Sequence, residues 1–121
     1  MSRSNQRRNC FCRIIQINLH HAKAASAALS HRFISQHIGM ALIQEPWSVG
    51  NLIKGLLKQM DNLIYDSGTQ SPKAAILACS QVNFIPVPEF ITRDLVAVMV
   101  EVLGERGKQN VVIASAYFPG D

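Results

Sequence analysis

Two polar residues close apolar runs in this chain of 121 residues: Asn18 ends FCRIIQIN (11–18), and Glu45 ends MALIQE (40–45) just before Pro46. An amide and a carboxylate brought to one rim outline a site for a hard cation. Mg²⁺ takes one or two carboxylates, keeps several waters and completes its shell with substrate phosphate oxygens. The same two residues also read as an Asn cap on the following helix and a solvated Glu beside a proline turn, and the residues alone leave both readings open. His20 and His21 with Cys10-x-Cys12 suggest a loose zinc set. Paired zinc cysteines are separated by roughly two to four residues, however, so the single-residue spacing argues against zinc. The turn NLHHA (18–22) has no glycine and the chain has no GxxxxGK[ST] string, which argues against a nucleotide-binding loop.

The elements that would carry these residues follow from hydrophobic period and turn residues. Phe11–Asn18 reads as a strand. Ala22–Ile38 has helical period, with Ala22, Ala25, Ala28, Leu29 and Phe33 on one face and Lys23, Arg32 and Gln36 on the other. Gly39 stands where a left-handed C-terminal cap belongs. Met40–Glu45 reads as a second strand, parallel to the first across a βαβ-like unit, both apolar enough to be buried on two faces. Val49–Met60 reads as a weak helix. Strands follow at Leu63–Tyr65 and Ala74–Cys79, with a turn at Asp66, Ser67, Gly68, Ser71 and Pro72 between them. Two long strands, Leu95–Leu103 and Val111–Phe118, are joined by GERGKQN, which reads as a hairpin loop.

Composition sets the class. With 48% hydrophobic and 17% charged residues the chain reads as one folded domain rather than a disordered tail, and the strand and helix order above makes it α/β. Its longest apolar run, Leu95–Val100, falls far short of the ~18 residues that cross a bilayer, and the N-terminus lacks the apolar stretch of a signal peptide, so the expectation is an unsecreted protein without a membrane span. Three cysteines, an odd count, read as reduced thiols, with Cys79 in the core. Charge is uneven: residues 1–44 carry Arg3, Arg7, Arg8, Arg13, Lys23 and Arg32 and no acid, whereas residues 45–121 carry six bases and eight acids. Residues 1–10 read as a flexible basic leader, suited either to solubility or, through Arg3, Arg7 and Arg8, to contact with a phosphate backbone.

Five strings in order, QINLHHAKAA (16–25), ALIQEPW (41–47), PKAAILA (72–78), TRDLVAV (92–98) and ASAYFPGD (114–121), resemble the endonuclease domain of arthropod non-LTR retrotransposons, above all the ribosomal-DNA-inserting and jockey-like elements. That domain belongs to the endonuclease/exonuclease/phosphatase superfamily, related to apurinic endonucleases. The resemblance covers the chain from Phe11 onward. It implies the N-terminal half of a four-layer α/β sandwich with mixed β-sheets, over residues 11–121. It also implies a catalytic Asn at Asn18, a metal-binding Glu at Glu45 for Mg²⁺ or Mn²⁺, and at Tyr117 the tyrosine that lies near the scissile phosphate. His20 departs from the pattern, since relatives carry Asn or Asp there.

The implied reaction nicks one strand of target DNA and leaves a 3′-hydroxyl that primes reverse transcription. Its partners are the target duplex and a downstream reverse transcriptase region of the same polyprotein, in the nucleus or cytoplasm, with no membrane and no small-molecule cofactor. The family's later Asp-x-Asn and Ser-Asp-His segments, which activate water and support the transition-state phosphate, are not among the 121 residues. The expectation is therefore the first part of a nicking enzyme, inactive as an isolated chain. The alternative is a non-catalytic remnant that binds DNA weakly and without sequence preference.

Overall fold

The computed structural model describes residues 13–56 and 61–119. The leader with Arg3, Arg7 and Arg8, together with Cys10, Cys12 and the start of the first expected strand, lies outside them. Strand β1 (Ile14–Asn18) leads into helix α1 (Lys23–Ser35) and strand β2 (Met40–Gln44). A small hairpin follows, β3 (Ser48–Val49) and β4 (Leu52–Ile53), then β5 (Asp61–Ile64) and β6 (Ala74–Cys79). The chain closes with β7 (Phe84–Ile91), β8 (Leu95–Gly104) and β9 (Gly107–Ala116).

These elements stack in three layers. A mixed sheet of order β1-β2-β6-β5 has β1 and β2 parallel and its other pairs antiparallel. On one face, Leu29 and Phe33 of α1 pack against Ala41, Ile43, Ala75 and Leu77. On the other, Val96, Val98 and Val100 of β8 pack against Met40, Ala74, Ile76 and Ala78. The second sheet, β7-β8-β9, is antiparallel throughout its described strands. Because strand side chains alternate, neighbouring residues of β2 and β6 enter different cores, which is why both strands read as continuous apolar runs. Each fully buried Leu, Ile or Val contributes about 1.5–3 kcal/mol. Among the described residues no helix is long and apolar enough to cross a membrane.

The helix departs from its expected face: Ala28 is exposed, and Ser26 takes the buried place, its hydroxyl donating to the Ala22 carbonyl at 3.1 Å. The left-handed cap is His37 (φ 53°) rather than Gly39. His37 N–H donates to the Ile34 carbonyl and Ile38 N–H to that of Phe33, a Schellman closure sealed by the buried Phe33 and Ile38. Gly39 instead ties strands together, its N–H donating to Arg13 and its carbonyl accepting from Cys79.

The expected helix over Val49–Met60 is a β3–β4 hairpin, with 57–60 outside the described residues. Gly50 turns it at φ 63°. Gly55 at φ 82° lets the backbone approach Trp47 so closely that a Cβ would meet the indole at 2.8 Å. Strand β1 is not buried on both faces, because it is the edge of its sheet, and Ile14 is exposed. The GERGKQN loop shortens to a Glu105-Arg106 turn, since the β8–β9 ladder continues to Gly104 and Gly107. Strand β7, where no strand was expected, is an edge strand. Edge position tolerates Pro86 and Pro88, and the ladder slips between Pro86 and Ile91. Cys79 packs at the margin of both cores.

Candidate active site

Parallel pairing places Asn18 opposite Gln44, so the chain leaves β1 and β2 at the same rim. The buried Leu19 anchors the turn, its N–H donating to the Gln44 carbonyl at 2.9 Å. Two consecutive left-handed residues, His20 (φ 51°) and His21 (φ 57°), then swing the backbone into α1. The Asn18 side chain stabilises this turn by accepting the His20 N–H at Oδ1, 2.8 Å. It does not cap the helix, whose N-cap is Ala22 without a side-chain bond.

Glu45 is also left-handed (φ 52°), a conformation that costs a non-glycine residue on the order of 1–2 kcal/mol. Two backbone bonds of 2.9 Å hold it there: Glu45 N–H donates to Lys73, and the Glu45 carbonyl accepts from His21 N–H. The carboxylate is thereby aimed into an open depression of about 460 Å³ lined by Gln16, Ile17, Asn18, Gln44, Glu45, Tyr117 and Phe118. Strain concentrated at such a rim is a recurrent property of functional sites.

Tyr117 reaches the depression from the second sheet, its N–H donating to the Asp94 carbonyl at 2.8 Å. Interaction of its phenol with the Glu45 carboxylate holds the Tyr117 pKa above the ordinary 10, with burial and the charges of Glu45 and Asp94 acting the same way and Arg93 opposing. The phenol therefore stays protonated throughout the neutral range, able to donate toward Glu45.

A buried polar link sits directly beneath. Gln44 Nε2 donates to Ser115 Oγ at 2.9 Å, and Ser115 Oγ donates to the Ile43 carbonyl at 2.8 Å, so the strand that ends just before Glu45 is tied to the strand that ends just before Tyr117. Ser115→Ala leaves the buried Gln44 amide and Ile43 carbonyl without these partners. The expected cost is about 2 kcal/mol or more, read as a lower urea midpoint. Gln44→Leu added to Ser115→Ala should recover part of it, since removing both partners is nearly neutral. A midpoint unchanged in Ser115→Ala would refute this role.

Three further residues, His20, His21 and Lys73, border Glu45. His21 Nε2 is 3.7 Å and His20 Nδ1 3.8 Å from the carboxylate. His21 Nδ1 lies 3.3 Å from the Pro46 carbonyl and Nε2 3.2 Å from Lys73 Nζ. One tautomer serves both contacts, with Nδ1–H donating to Pro46 and Nε2 accepting from the ammonium. The position of Lys73 is implicit in the register: Gln44 pairs with Ala74, so the residue before Ala74 must lie beside the one after Gln44.

Among the described residues no three His, Cys, Asp or Glu side chains gather closely enough to hold a metal ion by themselves. One carboxylate in an open depression nevertheless fits an ion of the Mg²⁺ type, which fills most of its shell with water and phosphate oxygens. It does not fit a closed zinc cage.

No family model matches the chain, and no curated protein does. A solved structure does: the endonuclease domain of TRAS1, a telomere-specific non-LTR retrotransposon, superposes with a TM-score of 0.64 at 24% identity, over 87% of this chain and 44% of that one. The fold matches part of the fold of that domain. The chain thus spans less than half the length of the structure it matches, and the likeness speaks for the fold of that part.

Proposed function

We propose that this chain is the N-terminal portion of a metal-dependent DNA endonuclease of the non-LTR retrotransposon type, nicking target DNA for target-primed reverse transcription. The observation that carries the reading is the convergence of Asn18, Glu45 and Tyr117, from three different strand ends and two sheets, on one open depression of an endonuclease-type fold. Glu45 would hold Mg²⁺ or Mn²⁺, which supplies Lewis-acid stabilisation of a phosphoryl oxygen when bound. Tyr117 would orient the carboxylate by donating to it, and the Asn18 amide, its oxygen engaged by His20, would present its N–H groups toward a phosphate oxygen. The target duplex and a downstream reverse transcriptase region are the partners of this reading, and a nuclear or cytoplasmic location goes with it.

None of the described residues lining the depression besides Glu45 is an acid that could activate water. Nicking is accordingly assigned to a polypeptide that includes the rest of such a domain, and the 121 residues alone should not nick. The test expresses the reading frame that follows codon 121 together with these residues and assays supercoiled plasmid with and without Mg²⁺. Nicking by the longer product supports the reading. A frame that ends at once, with DNA binding and no nicking, supports a non-catalytic remnant instead.

Arg3, Arg7 and Arg8 are proposed to add sequence-independent phosphate contacts. Deletion of residues 1–9 should weaken binding equally for unrelated duplexes in an electrophoretic shift assay and reduce its salt dependence. Unchanged affinity would leave the leader with solubility alone.

A further inference from the structure

Lys73 and Arg93 are not explained by the fold. The Arg93 carbonyl accepts the N–H groups of Lys73 at 2.8 Å and Ala74 at 3.1 Å, so the loop before β8 is clamped to the start of β6 and the backbones of the two basic residues are adjacent. The adjacent Asp94 carbonyl accepts from Tyr117 N–H, which places the pair beside the tyrosine. Lys73 is half-buried, with its ammonium 3.2 Å from His21 Nε2 and 6.0 Å from the centre of the Tyr117 ring. Among the described residues Lys73 makes no ion pair within 4.0 Å. Arg93 has one ion-pair partner, Asp94, at 3.9 Å and with both side chains about half exposed, a pairing of little strength. Arg93 also opposes the rise of the Tyr117 pKa, so its charge is felt at the phenol.

Two cations, one without an ion-pair partner among the described residues and one with a weak partner, are thus held by backbone bonds near Tyr117 and Glu45. We propose that Lys73 and Arg93 clamp one or two phosphodiesters of bound duplex DNA and so position the backbone across the depression. Lys73 serves as a point charge and Arg93 as a planar fork suited to two phosphate oxygens. This assignment rests on the endonuclease reading and specifies where the DNA backbone lies. Both are positioning residues, and their contribution is made before any chemistry and without a metal ion.

The test is fluorescence anisotropy of a labelled duplex of arbitrary sequence with the full chain in EDTA, at salt concentrations from about 50 to about 200 mM. Wild type is compared with Lys73→Gln, Arg93→Gln, the double variant and the charge-retaining Lys73→Arg. Arg106→Gln with Lys108→Gln, at the other end of β9, makes the same change in net charge away from the site. Circular dichroism melts verify that each variant keeps its fold. The double variant should bind about tenfold more weakly at the lowest salt, and its slope of log K against log salt should be shallower by about two, one for each lost phosphate contact. Lys73→Arg should restore most of the loss, and the distal pair should leave the slope close to that of wild type. Wild-type binding with an unaltered slope in the double variant, or an equal loss in the distal pair, overturns the clamp and leaves the endonuclease reading standing. Absence of wild-type binding at every salt concentration overturns both.

Discussion

Glu45→Gln in a polypeptide carrying the whole domain is expected to lower Mg²⁺-dependent plasmid nicking by roughly a thousandfold or more, the scale of losing one member of a catalytic set that acts as a unit. Gln is the informative substitution. It keeps the size of the side chain and its ability to accept from Tyr117, while removing the charge that a hard cation requires. Glu45→Ala should lose as much, but a β-carbon alone at φ 52° sacrifices the Tyr117 contact as well, so any drop in stability would cloud the result. Asn18→Ala is expected to abolish nicking too, with a modest loss of stability, because the same side chain supports the His20 turn. Nicking retained in Glu45→Gln, at equal fold and equal Mg²⁺, would remove Glu45 from the metal site.

The second large effect concerns the isolated 121 residues, which are expected to self-associate when purified. On the outer face of the second sheet, Ile85, Met99 and Val112 stand in one cross-strand row, and Ile85 and Val112 are 67% and 58% exposed. Leu103 on the same strand as Met99 is also exposed, and β9 is an open edge with unpaired backbone groups. Several hundred Å² of uncovered apolar surface corresponds to on the order of 10 kcal/mol at ~25 cal/mol per Å², comparable to a domain's whole net stability. Such a face beside a free strand edge favours association. Ile85→Thr with Val112→Thr keeps β-branched side chains and should shift sedimentation toward the monomer and reduce hydrophobic-dye binding. A wild-type chain that sediments as one monomer, melts cooperatively and binds no dye would show that these strands have cover enough.

Much of this architecture is legible in the amino-acid order, for physical reasons that can be named. Buried strands β2 and β6 are apolar at successive positions because each of their faces has a core to fill, β8 fills one core with Val96, Val98 and Val100, and turns or prolines end these strands sharply. That same logic brings Asn18 and Glu45 to one rim. It fails for β7, whose Pro86, Pro88 and Glu89 fit a strand only when the strand is known to be an edge. It fails again at 49–60, where Leu52, Ile53 and Leu56 have helical spacing but Gly50 and Gly55 are committed to a turn and to the Trp47 ring. Tyr117 is marked in the sequence by its resemblance to a family motif, not by pattern. Lys73 becomes visible once the β2–β6 register is known, and Gln44 and Ser115 look like unexplained polar residues until each is seen to be the other's partner.

The Gln44–Ser115 link joins residues 71 positions apart, and that separation governs how the molecule emerges during synthesis. At about 5–20 residues per second, Ser115 leaves the ribosome roughly 4–14 s after Gln44. The β7–β8–β9 meander is made of neighbouring strands joined by short turns, so its pairing requires only small loops to close and proceeds fast once it is exposed. The strands bearing Asn18 and Glu45 appear first yet have to wait for that meander to cover their second face. The nascent chain therefore carries its N-terminal βαβ segment with one apolar surface open for seconds, an interval in which chaperone binding competes with misassembly, and the depression beside Asn18 and Glu45 is completed only when β9 docks.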